Sequence, residues 1–279
     1  MTSLLFGLIA ALAWGLHDFL VRHVSQKAAA GPLMAVALAA GSAILAPLTL
    51  IEGWSGVSVP AIGLALLSGV AFSLASLGLY RAFAIGPVAL VAPICGAYPL
   101  GSLALALASG SSVTARDWLA VAMVIAGIAL VARQPGPQSG PRAAAILWAV
   151  LGAAGFALTF HFGQAAARLG GELPATLIAR LTALALVLLA LQVRPAPMAP
   201  ALRHWRWLAL MGALDVLALG FVIASGSRPN PEYAAVTSAI FGIVTILLAW
   251  RFLGERLGRV QGAGLALVFA GIATLAAGS

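Results

Sequence analysis

Arg133-Gln-Pro-Gly-Pro-Gln-Ser-Gly-Pro-Arg142 is the least hydrophobic connector in the chain and divides it into two similar halves. Its prolines and glycines break any helical pattern. Five apolar runs precede it, at 3–24, 32–51, 60–84, 87–108 and 114–132. Five follow, at 143–166, 173–193, 205–226, 231–252 and 258–277. Each is long enough to cross about 30 Å of hydrocarbon at about 1.5 Å per residue. Ala126-Gly127-Ile128-Ala129 recurs 144 positions later as Ala270-Gly271-Ile272-Ala273, and the same shift carries Pro87 onto Pro231. Nearer the start, a shift of 142 carries Trp14 onto Phe156 and Pro32 onto Pro174. Nearly constant shifts over such a length point to duplication, and an odd number of spans per copy forces the copies into opposite orientations. The expected fold is all-α: a polytopic membrane protein of ten transmembrane helices built as two inverted five-helix repeats. The repeats are expected over 1–133 and 143–279, joined by a linker at 134–142.

Composition excludes the soluble alternatives. Only 8% of the 279 residues are charged against 62% apolar, whereas a soluble domain carries about 25% charged residues. The 15 basic residues outnumber the 7 acidic ones, but they stand singly between apolar runs. That pattern reads as membrane-end anchoring and argues against nucleic acid as a partner. Tryptophans at or near run ends (Trp54, Trp118, Trp205, Trp207, Trp250) suit the headgroup belt. The single cysteine, Cys95, excludes a disulfide framework and a multi-cysteine metal site. The first run exceeds a signal-peptide core and has no basic segment before it, so it reads as a span. Connections after spans 1, 3, 5, 7 and 9 hold eleven of the fifteen basic residues, the opposite side three, and Arg180 lies within a span. By the positive-inside rule both termini are expected outside the cytoplasm.

Phe252-Leu253-Gly254-Glu255-Arg256, then Gln261-Gly262-Ala263 and Ala270-Gly271-Ile272, resembles the end of an EamA repeat in the drug/metabolite transporter superfamily. Trp14-Gly15 and the segment from Gly86-Pro87 through Val91-Ala92-Pro93 to Tyr98-Pro99 resemble that family too. The resemblance covers nearly the whole chain. It implies ten helices moving small organic solutes across a bacterial inner membrane, often outward. The first copy departs from the pattern: Ser111 stands opposite Glu255, and Trp118 opposite Gly262. Pro99 has Ile243 as its counterpart, so the broken-helix signal survives only in span 4.

Few side chains can carry transport. An ionisable group near the bilayer centre costs about 2.5–3.5 kcal/mol on insertion scales, so it faces protein or a wet cavity. Asp215, near the middle of span 8, is the clearest case. It is either a protonatable carboxylate lining a cavity or the partner of Arg180, the one deeply placed cation, locking spans 7 and 8 together. Arg180 can bind a substrate carboxylate through its planar fork, pair with Asp215, or snorkel to the nearer interface. In span 1, Gly7, Trp14, His17, Asp18 and Val21 share one broad stripe. Asp18 is a proton or cation site, or else it pairs with Arg22 one turn later and anchors the helix end. His17 suits polar packing or the cavity, and Trp14 offers a ring face. Tyr80 and Tyr98 can offer hydroxyls, Tyr98 especially, beside Pro93, Gly96 and Pro99. His161, near a run end, reads as structural. Gly262, Gly264 and Gly271 read as close-packing positions.

No Gly-x4-Gly-Lys-Ser/Thr occurs and Lys27 is the only lysine, which argues against ATP-driven pumping; His-Glu-x-x-His is likewise absent. No cofactor and no metal is expected, and no spacing singles out a hydrolase nucleophile. The expected function is secondary active export of a small metabolite, an amino acid or related compound, by alternating access with proton coupling. The rivals are import of a vitamin or nucleoside by the same fold, an intramembrane enzyme, and a non-transporting membrane partner. A monomer holds both halves and suffices; a homodimer is compatible.

Overall fold

The computed structural model describes residues 2–54, 56–108, 110, 114–133, 142–225, 237, 238, 240–255 and 257–276. The linker before Arg142, the break at Arg228-Pro229-Asn230-Pro231 with the start of the expected ninth span, Ser111 and Arg256 lie outside them. Every regular element among the described residues is a helix. In chain order these are α1 (Thr2–Ser25), α2 (Ala30–Glu52), α3 (Val59–Ile85), α4 (Val88–Cys95), α5 (Tyr98–Ala108) and α6 (Ala115–Arg133). Then come α7 (Arg142–Gly170), α8 (Glu172–Val193), α9 (Ala199–Leu202), α10 (Trp205–Ser225), α11 (Phe241–Leu253) and α12 (Arg259–Ala276). Helices are what a chain this apolar must form in hydrocarbon, where each backbone N–H and C=O needs a partner within the protein.

Among the described residues, seven segments are long and apolar enough to cross a membrane: those of α1, α2, α3, α4–α5, α7, α8 and α10. α11 and α12 contain shorter apolar helices. Many of the leucines, isoleucines and valines along these elements are exposed, and Trp54, Trp118, Trp205, Trp207 and Trp250 are all exposed at helix ends. The protein is a multi-pass membrane protein. The fourth run is broken where its prolines and glycine predict. α4 stops at Cys95, the Gly96 N–H donates to the Ala92 carbonyl at 2.8 Å, and α5 restarts at Tyr98 just before Pro99.

Helix ends gather at two poles. At one, the C-terminus of α1 meets the α3–α4 turn, through Arg22 Nη1 donating to the Phe83 carbonyl at 2.6 Å. Gly86 of that turn lies against Ala145 at the start of α7, and Arg142 Nη2 donates to Val131 of α6 at 3.0 Å. At the opposite pole the α2–α3 turn meets the α7–α8 turn: Ser58 Oγ donates to the Leu169 carbonyl at 3.3 Å. Ser58 also caps α3, accepting the Ala61 N–H at 3.3 Å with Pro60 in the first turn.

The halves interlock. α3 packs along α7, α6 along α12, and α1 along α10. A Cβ on Gly127 of α6 would stand 2.6 Å from the Gly264 carbonyl of α12, and one on Gly271 of α12 would stand 2.8 Å from the Ala120 carbonyl of α6. The two backbones therefore touch, and late residues of each meet early residues of the other, so the helices run antiparallel. Gly264 and Gly271 are close-packing positions as expected. Gly262 is not: nothing lies within 4 Å of the place a Cβ would take. It sits in the first turn of α12, before the crossing with α6 begins.

A polar latch closes the pole at the end of α1. Arg22 Nη2 lies 3.3 Å from Glu255 Oε1, and Glu255 Oε2 accepts the Val88 N–H at 2.8 Å, capping α4. Gln26 Nε2 donates to the carbonyls of Phe83 and Ala84 at 2.9 and 2.8 Å. Removing the Glu255 carboxylate takes the counter-charge from Arg22 and the acceptor from a helix-start N–H. Glu255→Ala is expected to lower stability by about 1–3 kcal/mol, read as a fall in the thermal midpoint of purified protein, whereas Arg251→Ala, on an exposed face, leaves it unchanged.

Candidate functional site

Arg180 sits inside the bundle on α8 with only 4% of its side chain exposed. Its Nη1 donates to Asp215 Oδ2 on α10, and its guanidinium lies 5.8 Å from the centre of the Phe72 ring on α3, within cation–π reach. The other Asp215 oxygen, Oδ1, accepts the Trp14 indole N–H from α1 at 3.0 Å. One carboxylate, 21% exposed at its side chain, therefore ties α1, α8 and α10 together. Of the readings open for Arg180 the ion pair is the one realised, and snorkelling is not. Space for the guanidinium comes from Gly41 on α2: a Cβ there would stand 2.5 Å from Nη2, 3.1 Å from Cζ and 3.2 Å from Nε of Arg180. The Arg180 Nε has no hydrogen-bond partner within the described residues.

One turn along α1, His17 Nδ1 and Asp18 Oδ1 lie 3.0 Å apart, with Asp18 only 6% exposed. Arg22 does not pair with Asp18. Its guanidinium is drawn to Glu255 and the Phe83 carbonyl, so the helix-end anchor expected as one reading of Asp18 is not formed, and His17 takes that place. His17 is within electrostatic range of Asp215 and Arg180 as well as Asp18. Tyr80 on α3 is buried and feels the charges of Asp215, Asp18 and Arg180. Trp14, His17, Asp18, Tyr80, Arg180 and Asp215 thus form one polar core fed by four helices. Tyr98 stands apart from this charge cluster, at the α4–α5 break, with its ring centre 5.0 Å from that of Phe160. His161 is exposed, edge-on to Phe162 at 5.3 Å.

Two residues of the site lie beyond what the sequence reading proposed. Gly41 makes room for the cation, and Phe72 provides its ring face. Phe72 precedes Asp215 by 143 positions, just as Trp14 precedes Phe156 by 142. The rings of Phe72 and Phe156 lie 6.5 Å apart. The α3–α7 pair Phe72/Phe156 is thus the counterpart of the α10–α1 pair Asp215/Trp14: one is aromatic, the other hydrogen-bonded, and Arg180 touches a member of each. Chemically, this arrangement can hold an anion at Arg180, hold an amine or a proton at Asp215 or Asp18, and present flat apolar surface beside them. Among the described residues no group of three or more His, Cys, Asp or Glu side chains could hold a metal ion.

A model described as the EamA-like transporter family matches the chain twice, over residues 1–133 and 143–277. No curated protein matches. Thirteen chains of solved structures do. One of them, described only as a crystal structure of a protein, superposes with a TM-score of 0.64 at 18% identity, over 98% of this chain and 95% of that one. At that identity the likeness is one of fold.

Proposed function

The chain belongs to the EamA-like transporter family, and from that premise we propose that it is a secondary active transporter. It moves a small metabolite, an amino acid or related compound, outward across a bacterial inner membrane by alternating access. The observation that carries the reading is the partly buried Trp14–Asp215–Arg180 chain, set where helices of both halves converge. A buried charged pair is costly in hydrocarbon and is kept where a pathway uses it. Ten crossings in two inverted copies are supported by the two matched segments, by the antiparallel α6–α12 crossing, and by the sorting of helix ends onto two poles. Both termini are assigned outside the cytoplasm because the pole at the end of α1 carries most of the basic residues.

Mechanistically, an amino acid presents one cation and one anion. Inserted into the Arg180–Asp215 pair, its carboxylate takes the guanidinium and its ammonium takes Asp215, so the net charge of the site does not change. Protons compete with the ammonium for Asp215 or Asp18, which is the basis of exchange for protons. Trp14, Tyr80, His17 and Tyr98 shape the pocket. The family is one of transporters, and no enzymatic role is proposed. One chain contains both halves, and a monomer is the proposed working unit.

The test is reconstitution in liposomes with a panel of amino acids, with and without a pH gradient, beside Asp18→Asn and Asp215→Asn. One of these replacements is expected to abolish gradient-driven accumulation while leaving binding or exchange. Normal accumulation by both would overturn the assignment of the coupling carboxylate, and flux of no solute by the native protein would overturn transport.

A further inference from the structure

At the pole that carries Glu255, the α1–α2 turn meets the turn joining α8, α9 and α10 to form a corner of unbalanced positive charge. Lys27 Nζ donates to His23 Nε2 at 2.6 Å, and His23 lies within electrostatic range of His204. Exposed Arg203 and Arg206 flank His204, with Arg206 stacked 5.8 Å from the Trp205 ring centre. Trp205 and Trp207 are about half exposed beside them, at 55% and 46%. No described carboxylate offsets this charge. Asp18 and Asp215 are inside the bundle; Glu52, Asp117 and Glu172 belong to the opposite pole. Glu255 is held by Arg22 and the Val88 N–H.

Duplication supplies an internal control. A shift of 142 carries the α1–α2 turn onto the α7–α8 turn, and the α8–α10 turn onto the α2–α3 turn. Those two turns also meet, around a cavity of about 390 Å³ lined by Glu52, Arg168 and Pro174 among others, with Glu172 in electrostatic range of Glu52. The equivalent corner thus carries two carboxylates against one arginine. One corner of a duplicated pair has become basic and the other acidic, a divergence that packing alone does not require.

We propose that the basic corner binds the phosphate headgroup of an anionic phospholipid, with Trp205 and Trp207 seating its glycerol region. Phosphate suits the donors on offer, since Arg and Lys pair with its oxygens. Paired indole and guanidinium groups suit the headgroup depth, and a bilayer presents that headgroup at the level these residues occupy. A lipid held here bridges the ends of α1 and α10, two helices that meet again at Trp14 and Asp215.

The test measures tryptophan quenching of the full-length protein in nanodiscs by brominated phosphatidylglycerol against brominated phosphatidylcholine. Phosphatidylglycerol is expected to quench preferentially, and Trp205→Phe with Trp207→Phe to remove the excess. Combined Lys27→Gln, Arg203→Gln and Arg206→Gln is expected to weaken the preference about fivefold per cation removed, while Arg251→Gln, a cation elsewhere at that pole, leaves it intact. Every side chain replaced in these variants is exposed, so the variants fold. Equal quenching by the two lipids, a full preference in the triple variant, or its abolition by millimolar inorganic phosphate would each overturn the proposal.

Discussion

Asp215→Ala is expected to stop solute movement and to destabilise the protein by about 3 kcal/mol, because it strands a buried guanidinium with no counter-charge. Arg180 is 4% exposed, too deep for water to replace the lost carboxylate, and the Trp14 indole N–H loses its acceptor in the same step. Liposome flux reads the first effect and thermal unfolding in detergent the second. The pair Arg180→Met with Asp215→Leu separates structure from function. Replacing both charges by apolar groups of similar volume is expected to recover most of the stability while flux stays absent. Flux restored by that double variant would make the pair a scaffold only.

Gly41→Ala, a change of one methyl group, is expected to reduce transport at least as severely as losing Trp14. The added carbon would sit 2.5 Å from Arg180 Nη2 and 3.1 Å from Cζ. A free arginine would swing aside at little cost. This one is held at its tip by Asp215 and on its face by Phe72, so yielding to the methyl breaks the ion pair or lifts the cation off the ring. Flux is expected to fall more than about tenfold, the equivalent of about 1.4 kcal/mol. Gly220→Ala is the control: it lies in α10, nothing stands within 4 Å of its added carbon, and in a helix interior alanine is favoured over glycine by about 0.8–1 kcal/mol. Gly41→Ala combined with Arg180→Met and Asp215→Leu is expected to hold the thermal midpoint near that of the charge-free pair without restoring flux.

The parts of the site that were legible in the sequence were those where scarcity did the selecting. With seven acidic residues in 279, a carboxylate in the middle of α10 and an arginine inside α8 had few other partners, and they do meet. Span 4 was legible because Pro93, Gly96 and Pro99 each remove or redirect a backbone bond. Long-range choices were not legible. Arg22 had Asp18 four residues before it and Glu255 233 positions away, and took the latter. Helical spacing says which groups share a face, but not which neighbouring helix offers a better acceptor. Gly41 was invisible because a glycine in a membrane helix has many uses, and only the neighbour's side chain says which applies. Phe72 escaped because its counterpart, Asp215, is chemically unlike it; divergence at that position erased the very likeness by which a repeat is found.

The α6–α12 crossing carries its own consequence. Gly127 and Gly264 bring the two backbones into direct contact, with Leu130, Val131 and Val268 packed around them, so this seam has little slack to take up. It behaves as a keel. If the proposed alternating access holds, the tilting that carries a solute past Arg180 is left to α1, α3, α7, α8 and α10, and tethering α6 to α12 covalently is expected to leave flux intact.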